Sequence, residues 1–240
     1  MKKIIATLAF VCVVAAGALG QTNKYVFGYI GSVAVHESNN VKFYLYSKDS
    51  GWRKNFDDLA LPVGNRGVFS ILGYIGVIVN NKVQVYERNS ENYASWQRKE
   101  GYDMSLPREY KNVFGFSGTS HIGVNIDDTI QIYSYKEGQG WQRTIGHDLP
   151  LVYGYKTVFG FGGNRICVII NDTVYFYEDT NNGYQLRAGD NLTLPDGYTS
   201  VFSYRPRGRY SIGVLINNKV QTYQDRGRGW EEVSEYDFSF

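Results

Sequence analysis

The sequence predicts an all-β protein, a five-bladed β-propeller with four antiparallel strands per blade. Three observations predict it. A Val-Phe pair recurs at Val26, Val68, Val113, Val158 and Val201, in steps of 42, 45, 45 and 43 residues, and a period of that size marks a repeat architecture. Four further columns keep the same register. Apart from the first residues, no helical periodicity, Pro-rich linker or low-complexity tract interrupts the pattern.

The first 20 residues read as an export leader: Lys2 and Lys3 are followed by an apolar core from Ile4 to Ala16 and by small residues at Ala18 and Gly20. Cleavage is expected before Gln21. The apolar run is shorter than the roughly 20 residues that span a bilayer, so a secreted or extracellular protein is expected, periplasmic if the source is bacterial. Residues 21–240 are expected to form one domain, with blades at about 25–67, 68–112, 113–157, 158–200 and 201–240. Without Lys2 and Lys3, the 25 basic residues become 23 against 23 acidic ones. A neutral chain gives no support to nucleic acid as a partner. Only Cys167 lies outside the leader, so stability must come from packing and not from disulfides.

The third blade shows the unit: Val113-Phe114-Gly115-Phe116, then Ile122 to Ile126, then Thr129 to Tyr135, then a segment opened by Trp141. Asp127-Asp128 suit the two-residue turn of a hairpin, because Asn and Asp tolerate positive φ. The corresponding pairs are Asn39-Asn40, Asn80-Asn81, Asn171-Asp172 and Asn217-Asn218. The aromatic that opens the last strand is Trp52, Trp96, Trp141, Tyr184 and Trp230, expected to fill the outer gap between blades. A closing signature follows at Asp58-Leu59, Asp103-Met104, Asp148-Leu149, Asn191-Leu192 and Asp237-Phe238. Such a unit cannot bury both faces alone, and closing five into a ring protects the edges. Small residues line the inner strands at Gly28, Ser70, Gly115, Gly160 and Ser203, where a narrow centre brings strands together. A second small column, Ala34, Gly76, Gly123, Cys167 and Gly213, makes Cys167 a buried core residue.

The chemistry of enzymes is not visible. His36, His121 and His147 fall in different columns and default to the surface, the inner strands carry no carboxylate pair of the kind glycoside hydrolysis needs, and no metal-ligand spacing appears. The protein is expected to be non-enzymatic, with no cofactor and no metal. Asn171-Asp172-Thr173 and Asn191-Leu192-Thr193 match the N-glycosylation pattern.

Two sets of residues are candidates for binding. The connectors between blades carry Tyr110, Tyr155 and Tyr198, with Asn65 in the same column, three residues before Val-Phe. In an up-and-down blade these emerge on the face that holds the hairpins, beside Asn81, Asp128, Asp172 and Asn218. A flat aromatic beside Asn or Asp acceptors suits a sugar. The second set is a basic patch: Arg205, Arg207 and Arg209 follow the first strand of blade five, and Arg226 and Arg228 follow its third. It is expected to attract an acidic glycan or protein surface.

In size, in-phase repeats and leader, the chain resembles the tachylectin type of five-bladed propeller lectin. That resemblance implies amino-sugar binding through repeated sites, one per blade. Lys82-Val83-Gln84-Val85-Tyr86-Glu87 and Ser95-Trp96-Gln97 also resemble integrin-type FG-GAP repeats, whose Asp-rich calcium loop is absent here. The expected function is multivalent, lectin-like carbohydrate binding. The alternative is an extracellular protein-interaction or structural propeller without a glycan ligand.

Overall fold

The structure, a computed structural model, describes residues 25–89 and 95–239. The leader with its cleavage site, and the chain's last residue, lie outside the described residues. The described chain forms five sheets of consecutive antiparallel strands, a five-bladed β-propeller. Blade one contains Tyr25–Tyr29, Ser32–Glu37, Asn40–Ser47 and Gly51–Lys54; blade two, Asn65–Ile71, Tyr74–Val79, Lys82–Arg88 and Trp96–Arg98; blade three, Asn112–Gly115, His121–Ile126, Thr129–Lys136 and Gly140–Arg143. Blade four contains Tyr155–Phe161, Arg165–Ile170, Thr173–Thr180 and Gly183–Leu186, and blade five, Ser200–Tyr204, Ser211–Ile216, Lys219–Asp225 and Trp230–Glu232.

Each innermost strand contacts the next, and Ser200–Tyr204 contacts Tyr25–Tyr29, so the ring closes without an exchanged strand. The small inner column permits this approach. A Cβ on Gly115 would stand 1.9 Å from the Ser70 carbonyl oxygen, and one on Gly28 1.9 Å from that of Ser203. Where the column carries Ser203, its hydroxyl donates to the Gly160 carbonyl at 2.6 Å.

The hydrophobic cores lie between blades, five in all among the described residues. Phe27, Val41 and Phe43 of blade one meet Val68, Ile75 and Val77 of blade two; Val26, Val33 and Val35 meet Phe202, Tyr204 and Leu215 across the closing seam. Both faces of each sheet are therefore buried, which explains the Val and Ile on either side of the small column. At the rim, the indole of each Trp bonds to the preceding blade: Trp96 donates to the Asp57 carbonyl at 3.0 Å, Trp141 to Tyr102 at 2.8 Å, Trp230 to Asp190 at 3.4 Å and Trp52, across the seam, to Tyr236 at 3.2 Å. Trp96 stacks on Phe43 and Trp230 on Phe176. These rings are occupied by packing.

Four details differ from the sequence expectation. The first hairpin turns on Ser38-Asn39 and not Asn39-Asn40, because Glu37 pairs with Asn40 and Ser38 takes the positive φ of 58°. The outer strand comes in two pieces: Leu59–Ala60, Met104–Ser105, Leu149–Pro150, Leu192–Thr193 and Phe238–Ser239 return to pair with the start of the third strand. The Asp column sits at the break and is neutralised within its blade, by Lys54 on Asp58, Arg98 on Asp103, Arg143 on Asp148 and Lys219 on Asp237. In blade four Asp190, paired with Arg187, takes this role in place of Asn191. Finally, the histidines are half-buried rather than surface groups. His147 bonds Asp179 of the next blade at 2.7 Å, at the junction where Tyr184 replaces the bridging Trp, so the side-chain link lost there is supplied by another pair.

Cys167 is fully buried and its thiol is pushed well above its ordinary range by burial. In three of the other blades its position is Gly, where a Cβ would meet the ring of Phe69, Phe114 or Phe202; Phe159, beside Cys167, is the half-exposed member of that Phe column. Cys167→Ala should cost about 1 kcal/mol or less and Cys167→Leu about 1–3 kcal/mol from overpacking. A bulky thiol reagent should label the protein only after denaturation; rapid labelling of the native chain would show that the slot is open.

Candidate functional site

The connectors and the hairpins share one face of the ring. Each connector turns through a left-handed residue, Gly64, Glu109, Gly154 or Gly197, just before the Asn or Tyr column. Each hairpin turns on residues of positive φ, and the carbonyl of its second residue accepts the N–H of the closing Leu: Asn39 from Leu61, Asn81 from Leu106, Asp128 from Leu151 and Asp172 from Leu194. Hairpin tip and connector are thus fixed against each other.

Two of these junctions carry a complete polar cluster. Between blades three and four, Tyr155 donates to Asp128 Oδ1 at 2.8 Å and Lys111 Nζ donates to the same atom at 2.7 Å. Between blades four and five, Tyr198 and Lys156 hold Asp172 Oδ1 at 2.8 and 2.6 Å. An open recess of about 320 Å³ lies there, lined by Lys156, Asp172, Pro195, Asp196, Gly197 and Tyr198. Beneath the first cluster, Asn125 is buried and its amide donates to the Tyr155 hydroxyl at 2.8 Å, while its Oδ1 has no hydrogen-bond partner among the described residues.

The other members of the candidate set are not joined this way. Tyr110 packs against the core between blades two and three, and no hydrogen bond links it to exposed Asn81 among the described residues. Asn218 is exposed at its hairpin, and the residue three before Val26 lies outside the described residues. Asn65 donates to the Pro62 carbonyl at 3.1 Å, bracing its own turn.

The tyrosine rings are half-buried against the inter-blade cores, and Lys156 lies 5.9 Å from the ring centre of Tyr198. They present hydroxyls and edges more than open faces. An open aromatic does occur in the connector that leads to Tyr155: Tyr153, two residues earlier, is fully exposed at 104 %. Sequence columns passed over it because its position varies, with Val63, Arg108 and Asp196 as counterparts. Arg66, Lys111 and Lys156 keep a fixed place two residues before Val-Phe, but that column does not show that Lys111 and Lys156 reach the hairpin carboxylates.

Electrostatically each cluster is a fixed pair. The Lys111 ammonium first, then the Tyr155 hydroxyl, holds the Asp128 carboxyl below its ordinary range, and Lys156 with Tyr198 does the same for Asp172. The same bonds raise both lysines. A carboxyl with a lowered value stays ionised as pH falls and protonates only below the usual range. Both carboxylates should therefore keep their charge from about pH 8 to pH 5 and lose it only in stronger acid, as a titration of their carboxyl resonances by NMR would show; a midpoint near pH 6 would contradict it.

On the opposite face, Arg207, Arg209 and Arg226 surround a second recess of about 370 Å³ with Gln224, Glu235 and Tyr236. Arg205 turns back on its own loop, donating to the Gly208 carbonyl at 2.7 Å and lying 4.7 Å from the Tyr210 ring centre. Arg228 is exposed and does not line the recess. The structure thus gathers three of the five arginines. Among the described residues, no group of three or more His, Cys, Asp or Glu is placed to hold a metal ion, and no helix is long and apolar enough to cross a membrane.

No family model matches the chain, and no curated protein matches it either. Among solved structures it is similar to Kluyveromyces lactis Hsv2, at 11% identity and a TM-score of 0.44 over 84% of this chain and 61% of that one. A form of Hsv2 with its loop 6CD replaced by a Gly-Ser linker gives 9% identity and a TM-score of 0.47 over 90% and 99% of the two chains. Apo AztD from Citrobacter koseri gives 11% and 0.39 over 92% and 70%. The chain spans about three fifths of the length of the first of these. Likeness at this level carries no ligand, activity or compartment to this chain.

Proposed function

We propose that the protein is an exported, non-enzymatic carbohydrate-binding module whose sites lie at the blade junctions of the hairpin face. One observation carries the reading: the Lys-Asp-Tyr cluster is built twice, at consecutive junctions, from Lys111, Asp128 and Tyr155 and from Lys156, Asp172 and Tyr198. Each combines an ammonium donor, an ionised acceptor and a hydroxyl at an open surface, the set that pairs with vicinal sugar hydroxyls. Exposed ion pairs of this kind contribute little to stability, which is consistent with a role other than holding the blades. Tyr153, two residues before Tyr155 in the same connector, is a fully exposed aromatic, and two weak sites on one rigid ring gain from multivalency.

A glycan array on the exported chain tests this, compared with a variant carrying Tyr155→Ser and Tyr198→Ser whose melting temperature is followed in parallel. Loss of a wild-type signal with the melting temperature nearly kept supports the site. A large fall in melting temperature, or an unchanged array, assigns the tyrosines to packing alone. A folded wild type that binds no glycan would favour the protein-interaction propeller.

A further inference from the structure

The arginine recess on the opposite face has the features of a separate site. Its two loops are rigidly built. Pro206 is buried, Arg207 holds a left-handed φ of 49° next to Gly208 at 83°, and the Arg205 N–H donates to the Ile30 carbonyl of blade one at 2.9 Å. In the other loop, Asp225 accepts the Gly227 N–H at 2.7 Å and Arg226 donates its N–H to Gly229 at 3.1 Å. A left-handed non-glycine residue persists only where its surroundings impose it, and Arg207, so held, lines the recess together with Arg209 and Arg226. Blade five also departs from the others in its interior. Gln224 is buried and donates to Ser211 Oγ at 2.9 Å, and that hydroxyl donates to the Arg209 carbonyl at 3.3 Å, so a polar floor anchors the rim.

None of Arg207, Arg209 and Arg226 is ion-paired among the described residues, although the basic residues beside the Asp column are. Guanidinium groups recognise carboxylate and sulfate oxygens in bidentate fashion. Glu235 at the recess narrows the ligand, because it would repel a group that is anionic throughout and accepts bonds from hydroxyls instead. The volume, about 370 Å³, suits one small ligand or the end of a chain, whereas a protein partner would cover roughly 800 Å² of surface.

We propose that this recess binds an anionic saccharide, with Arg207, Arg209 and Arg226 on its sulfate ester or carboxylate and Glu235 on its hydroxyls. The site is independent of the clusters on the hairpin face and takes a different class of sugar. The test is titration of the exported chain with a sulfated heparin-derived oligosaccharide, a uronate oligosaccharide, the desulfated neutral form and inorganic sulfate, at low and high salt. Either anionic saccharide should bind, far more tightly than neutral sugar or sulfate alone, and weaken as salt rises. Arg226→Ser should weaken it roughly tenfold or more, Arg207→Ser with Arg209→Ser should abolish it, and Arg228→Ser should leave it unchanged. The melting temperatures of all these variants should stay near wild type, which reports that they fold whether or not the hairpin face binds a glycan. No binding of either anionic sugar, equal binding of the neutral form, equal binding of free sulfate, or equal loss in Arg228→Ser would overturn the proposal.

Discussion

Deleting blade four, Val158 to Ser200, is expected to leave a chain that aggregates or is degraded, with no cooperative melting transition. The reason is where the cores lie. Blade four contributes to two of them, through Ile166 and Val168 against Phe114, Phe116 and Ile132 on one side and through Phe161, Cys167 and Phe176 against Ile212 and Val214 on the other. Fully burying one such side chain contributes about 1.5–3 kcal/mol, so each interface supplies on the order of 10 kcal/mol or more of gross stabilisation, against a net stability of only about 5–15 kcal/mol for a domain. Removing the blade exposes both facing sheets, and four blades cannot reclose at an angle set for five. Limited proteolysis and calorimetry of the deletion variant check this. A soluble product with a single sharp transition would contradict the closed ring.

Gly28→Ala is expected to be strongly destabilising for a change that adds one methyl group. Its Cβ would stand 1.9 Å from the Ser203 carbonyl oxygen and 2.5 Å from the Tyr204 Cβ. The closest obstacle is backbone, which cannot swing aside as a side-chain tip can, so the inner strands of blades one and five must part. The cost should reach about 3 kcal/mol, the upper part of the usual overpacking range. Gly67→Ala serves as the control: the nearest atom there is the end of the Ile78 side chain at 3.3 Å, and its melting temperature should stay much closer to wild type. Equal melting temperatures for both would mean that the centre is looser than the strand contacts indicate.

Most of the fold was legible because a repeat averages out local ambiguity. Five copies of Val-Phe, of the small columns and of the Trp column placed every blade, and the structure adds the reason, since the Trp indoles reach carbonyls of the neighbouring blade. Column reasoning failed where one copy departs from its siblings. Ser38-Asn39 turns the first hairpin because strand pairing, rather than the Asx pair itself, sets the turn. His147 and Asp179 meet because Tyr184 cannot make the Trp bond, and no column predicts a compensation between different positions. The candidate site was half visible. Tyr155 and Tyr198 do reach Asp128 and Asp172, but the lysines that complete the clusters and buried Asn125 depend on which side chains meet across a junction. Tyr153 was not legible for the opposite reason: a fully exposed residue at a connector tip packs against nothing, so no repeated column holds its identity.

The number of sugars bound per chain tests the account most directly, because it reads the ring and its two complete junctions together. Native mass spectrometry of residues 21–240 at a saturating concentration of a neutral glycan that the array identifies should show two sites, falling to one in Asp128→Ala, to one in Asp172→Ala and to none in the double variant, with the intact fold verified by melting. Retention of both sites in the double variant, or a stoichiometry indifferent to either aspartate, would contradict it.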